Sequence, residues 1–176
     1  MRDIVNHRMI HIRQLKDSGN GIQKQVGPLS YYEPENELLI APEQPIQFEW
    51  DGKKYEVFLT LKKALETDLT GVGEERLNGL LVKADIAVLD CQFFKFEKSL
   101  GTERLFGELR CNSLHRLLKD GESVIKAARN ELNKENSFVK CLAQIVENVI
   151  EPFVLAERKQ RERVEKAQTS ENTRIK

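Results

Sequence analysis

The stretch VKADIAVLDCQFFKFEKSLGTERLFGELRC, residues 82–111, sets Asp85 and Asp90 on one apolar run and Glu108 and Arg110 at the end of the next. Carboxylates at the ends of neighbouring strands are what a metal-dependent phosphodiesterase needs. They hold Mg²⁺, which lowers the pKa of a bound water and neutralises the charge that develops on phosphate. A nearby cation orients or activates that water. One reading of the chain therefore has a catalytic set of Asp85, Asp90, Glu108 and Arg110, with Mg²⁺ as cofactor.

The spacing resembles the acidic pattern of the restriction-endonuclease-like superfamily, in which an Asp is followed by Glu-x-Lys. Here the last position is Arg110, and a guanidinium stays protonated and cannot serve as a base. The segment EQPIQFEWDGKKYEVF is similar to the one before the active site of transposon end-cleaving endonuclease subunits in that superfamily, with Gln44, Pro45, Asp51, Gly52 and Tyr55 at matching places. Those subunits continue into Pro-Asp after the tyrosine, whereas Tyr55 is followed by Glu56, Val57 and Phe58. The resemblance implies a metal-dependent nuclease or an inactive descendant of one.

Plain strands account for the same residues. Asp85 and Asp90 are five apart, so on one strand they point to opposite faces and cannot share an ion without a bulge. Glu108 is expected to pair with Arg110 along one face. The superfamily also adds strand after its Glu-x-Lys, while residues 112–170 read as helix. On this reading no residue is catalytic and no cofactor or metal is bound.

Other motifs are weaker. His7 and His11 have helical zinc spacing, but Arg8 stands where a metalloprotease needs Glu, and no third ligand is identifiable. His115 reads as a helix-surface residue. The GVG at 71–73 lacks the further elements of a dinucleotide loop or P-loop. Ser123 and Lys126 have S-x-x-K spacing without the partner motifs of penicillin-binding enzymes.

The 28 basic and 28 acidic side chains cancel, so no net field steers the chain toward nucleic acid or an anionic membrane. Only residues 152–176 carry a surplus, with 7 basic against 4 acidic groups. Their charges interleave as on a solvated helix, which leaves nucleic acid only that tail as a foothold. No apolar run approaches the roughly 20 residues of a membrane span, and the start lacks a signal-peptide core. Cys91, Cys111 and Cys141 are widely spaced among apolar neighbours, as buried thiols are in a reducing compartment. A cytoplasmic protein is expected.

The elements that must position these residues are legible in part. IQFEWDGKKYEVFLTL alternates on either side of Asp51-Gly52 and predicts a hairpin over 46–60. Pro34, Pro42 and Pro45 confine the preceding segment to a sheet edge. LKKALETD predicts a short helix with Leu61 and Leu65 on one side. LLVKADIAVLDCQFFKF has strand composition, and a further strand spans 104–111. Asn112 or Ser113 caps LHRLLK. Asp120-Gly121 ends that helix and opens another, with Val124, Ile125, Ala128 and Leu132 on its apolar face.

Ser137 opens the longest helix, whose Phe138, Leu142, Ile145, Val149 and Phe153 recur every three or four residues. Pro152 should kink or break it, and the chain should fray after about Lys166. The reading is an α+β fold: an N-terminal antiparallel or mixed sheet of four to six strands, then a C-terminal helical region ending in a long kinked helix. Residues 1–111 form the β-rich part of one domain, 112–168 the helices packing on it or on a partner, and 169–176 a disordered tail. The function expected is a non-catalytic interaction or assembly module that meets another protein chain, self or hetero, through Phe138, Leu142, Ile145, Val149 and Phe153, with no membrane partner.

Overall fold

A computed structural model describes residues 12–15, 22–26, 33–66, 68–69, 77–85, 87–127 and 131–174, of which 12–15, 22–26 and 169–174 are described by backbone alone. The chain divides into two compact units, Met1–Pro34 and Glu35–Lys176. In the first, β1 (Ile12–Leu15) pairs antiparallel with β2 (Ile22–Val26). His7 and His11 lie outside the described residues, as do residues 71–76 with their GVG.

The second unit is a mixed six-stranded sheet followed by helices. Its strands are β3 (Asn36–Ile40), β4 (Ile46–Trp50), β5 (Lys53–Ala64), β6 (Gly79–Ala84), β7 (Ala87–Gln92) and β8 (Leu105–Arg110). The order is β3-β5-β8-β6-β7, with β4 pairing the first part of β5. Among the described residues only β6 and β8 run parallel, and the other strand pairs are antiparallel. The expected hairpin joins β4 to β5 through Asp51 and Gly52, whose φ angles of 50° and 67° fit the mirror-image turn that matches strand twist.

Three local expectations give way to tertiary pairing. The helix predicted at 61–68 is instead the end of β5, because Leu61, Lys62 and Lys63 are laddered to β8 while Lys62, Lys63 and Ala64 are laddered to β3. Two ladders outweigh a few residues of helix propensity. The helix predicted from Glu122 is absent from the described residues 122–127 and 131–133, where Ile125 bridges Leu132 and Val124 and Leu132 are buried. The long strand-like run at 80–96 folds back at Asp85, whose φ of 56° makes the turn from β6 to β7, and ends in a 3-10 turn at Phe94–Phe96.

Helix α1 spans Ser113–Lys119 and α2 spans Ser137–Arg174. Asn112 occupies the cap position of α1 without capping it; its side-chain oxygen accepts from the Asp85 amide instead, at 3.3 Å. Gly121, at φ 87°, follows the end of α1, as the sequence suggests. Asn136 starts α2 by accepting from the amides of Phe138 and Val139 at 2.9 and 3.3 Å. Pro152, expected to kink or break this helix, does not interrupt it, and the backbone stays helical to Arg174.

The inner face of the sheet, with Tyr55, Val57, Leu59 and Leu61 of β5, Leu80 and Val82 of β6 and Leu105 and Leu109 of β8, forms one core with α1 and α2. Six side chains of α2 close it: Phe138, Val139, Leu142, Val146, Ile150 and Val154, each at most 2% exposed. Burying them contributes on the order of 1.5–3 kcal/mol apiece. Phe138 also stands against Phe48, Trp50 and Tyr55, with ring centroids 5.1–5.5 Å away. Phe138→Ala should therefore lower the free energy of unfolding by about 3–5 kcal/mol. A urea titration will show this as an earlier midpoint at unchanged slope.

Candidate functional site

The four residues of the nuclease reading can be followed strand by strand. Asp90 on β7 sits opposite Val82 of β6, which sits opposite Leu109 of β8. Its carboxylate therefore lies on the core face of the sheet. Oδ1 accepts from the Cys91 amide at 2.7 Å, and Oδ2 accepts from Gln92 Nε2 at 2.7 Å and the Leu132 amide at 2.8 Å. Burial pushes the Asp90 carboxyl above its ordinary range, against the pull of the Leu132 and Cys91 amides. Asp90 is thus a clamp that pins Leu132 to β7 and holds it in a non-helical place.

Glu108 neighbours Leu109 and so projects from the opposite face. It does not pair with Arg110, as the sequence suggests; it receives the ammonium of Lys83 at 2.7 Å, and that lysine side chain is only 5% exposed. Asp85 is exposed in the β6–β7 turn, and Arg110 is exposed at the end of β8. The sheet thus separates Asp90 from Glu108 by its own thickness. Among the described residues no group of three His, Cys, Asp or Glu side chains could hold a metal ion.

The other motifs fall away in the same manner. Lys126 is not on a helix and pairs with Glu131 at 2.6 Å, far from any nucleophile arrangement with Ser123. That pairing holds the exposed Glu131 carboxyl below its ordinary range. His115 lies on the surface of α1. None of the three cysteines is in a disulfide, and burial raises the Cys111 thiol to about 11, which keeps it an inert thiol.

Of the five residues expected to meet a partner, Phe138 and Leu142 are fully buried in the chain's own core, so in this fold they face the sheet. Ile145, Val149 and Phe153 are half-buried along its margin. A surface groove of about 270 Å³ opens beside the start of α2, floored by Phe94, Val139 and Ala143. Two of its rim lysines, Lys95 and Lys140, are already paired with Glu151 and Glu135 at 3.3 and 3.2 Å.

Beyond Val154 the attachment of α2 changes in kind, since no side chain from 155 to 168 is buried. The Val154 carbonyl oxygen and the Arg158 amide come so close to Gly101 that a Cβ there would stand 2.5 and 2.9 Å from them, at a φ of 98° that glycine alone adopts readily. Further along, contacts are ionic. Lys63 Nζ reaches Glu157 at 2.5 Å and Gln160 at 3.5 Å. Arg161 pairs with Asp68 and, at 3.4 Å, with Glu103, while Arg104 binds Asp68 at 3.0 Å. This cluster has no motif in the sequence. Its one signal is the alternation of β5, which puts Lys63 on the core face once residues 61–64 are read as strand.

No protein-family model, curated protein or solved structure matches this chain. No helix of the described residues is long and apolar enough to cross a membrane. The arrangement comprises a buttressed helix, a charged seam and a part-exposed apolar margin.

Burial favours the protonated form of Asp68, but the hydrogen bonds and charges of Arg104 and Arg161 prevail and hold its carboxyl below the ordinary range. A depressed carboxyl stabilises the fold above its unfolded pKa, and that contribution is lost as pH falls through the folded value. Both partners are part-exposed, so the term is worth about 1 kcal/mol or less. The stability difference between the native chain and Asp68→Asn should be constant at neutral pH and shrink toward zero below about pH 4, as chemical denaturation at stepped pH will show.

Proposed function

We propose that this protein is a non-catalytic interaction or assembly module that docks on another protein chain, self or hetero, through the outer margin and far end of α2. One observation carries the reading: α2 continues well past Val154, and no side chain described from 155 to 168 is buried. At 1.5 Å per residue, 155–168 make about 20 Å of helix with no buried side chain of its own. A charged helix of such length is marginal in water unless something covers it.

The surface on offer begins with half-buried Ile145, Val149 and Phe153 and resumes at Val164, which is 50% exposed. Phe153 and Val164 are eleven residues apart, a spacing that returns to the same side of a helix within about 20°. Phe138 and Leu142 serve this surface indirectly, by fixing the helix on the sheet. Three cysteines without a disulfide fit a reducing, cytoplasmic setting. Nucleic acid could engage only the mildly basic end.

The metal-dependent nuclease alternative, with Asp85, Asp90, Glu108 and Arg110 around Mg²⁺, has no geometric support, because Asp90 and Glu108 lie on opposite faces of the sheet. Mg²⁺-stimulated DNA cleavage that Glu108→Gln abolishes would restore it and remove the present reading.

Val164→Glu should weaken association by about tenfold, the loss of one apolar anchor, and leave the urea midpoint in place. Light scattering over a dilution series, with pull-down of partners by both proteins, will test this. A strict monomer whose partner recovery is unchanged by Val164→Glu would refute the proposal.

A further inference from the structure

The two parts of α2 are fastened by different forces. From Phe138 to Val154 six buried apolar side chains seat the helix on the sheet. From Glu157 to Arg161 the fastening is a cluster of opposite charges: Glu157 on Lys63, Arg161 on Asp68 and Glu103, with Arg104 sharing Asp68. Pro152 stands just before the change. Having no amide hydrogen, it cannot donate to the Asn148 carbonyl, so the helix is missing one rung between the two parts.

Apolar burial is nearly indifferent to salt, whereas charges at a part-exposed surface are screened over about 3 Å at 1 M ionic strength. Arg161, Asp68 and Arg104 are 30–44% exposed at their side chains and lie open to that screening. Lys63 and Glu157, at 16% and 12%, are the sheltered inner rung.

From this division we propose that residues 155–168 form a strap held to the sheet by ion pairs, which can be released while the rest of α2 stays seated. Release exposes the sheet-facing side of Glu157 and Arg161 together, and the competitor that favours it is any partner presenting its own carboxylates to Arg161 and Arg104. The strap is independent of whether α2 docks on protein. It concerns only how the helix is held to its own sheet.

Hydrogen–deuterium exchange on the full chain tests it without a ligand. Between 0.01 M and 1 M NaCl, amides of 155–168 should exchange about tenfold faster, while those of 138–150 keep their rate. Lys63→Glu alone should raise exchange in 155–168 at low salt, Glu157→Lys should do the same, and the double charge reversal should bring it back. The strap is overturned if 155–168 ignores salt, if both parts of α2 speed up together, or if the reversed pair fails to restore protection. Unchanged exchange at 138–150 certifies in each variant that the core is folded.

Discussion

The burial of one face of α2 against one face of the sheet is the constraint on which the rest of this structure depends. The contact is tightest where Phe138 enters between Phe48, Trp50 and Tyr55 of the β4–β5 hairpin. Trp50 reinforces it by donating its indole N–H to the Ser137 hydroxyl at 3.1 Å, which ties the hairpin to the first turn of the helix. The hairpin turn, the alternation of β5 and the apolar spacing of α2 all serve that junction. Remove it, and the sheet has a bare greasy side and the helix has no reason to form at the place where it does.

Polar residues in the second unit follow the same constraint. Asp90 faces the core and must be satisfied there, so it collects three donors. Lys83 is buried on the other side and meets Glu108. Asp90 and Glu108, which look like parts of one active site when read along the chain, are in space separate answers to separate burial problems. The sheet lies between them.

Legibility in the sequence tracked how local each determinant was. The 46–60 hairpin depends on two turn residues and strict alternation, and the front of α2 depends on a spacing of three and four, so both were readable. The α+β class followed from them. The misreadings at 61–68 and 122–133 share a cause: short segments with helical composition were claimed by distant partners, β3 and β8 in one case and the Asp90 carboxylate in the other. The cluster of Lys63, Asp68, Glu103, Arg104, Glu157 and Arg161 joins three stretches of chain, and no local pattern announces it. Pro152 has a local sequence signature for a kink or break, yet the helix runs through it.

The place of β8 has a consequence for how the molecule is made. It is the last strand in the chain, and it lies in the middle of the sheet, antiparallel to β5 and parallel to β6. During synthesis the β3–β5 part and the β6–β7 hairpin must each wait with an open edge until residues 105–110 arrive to join them. Such edges invite pairing with a neighbouring nascent chain. The keystone strand thus closes the sheet only after every strand it joins has already been made.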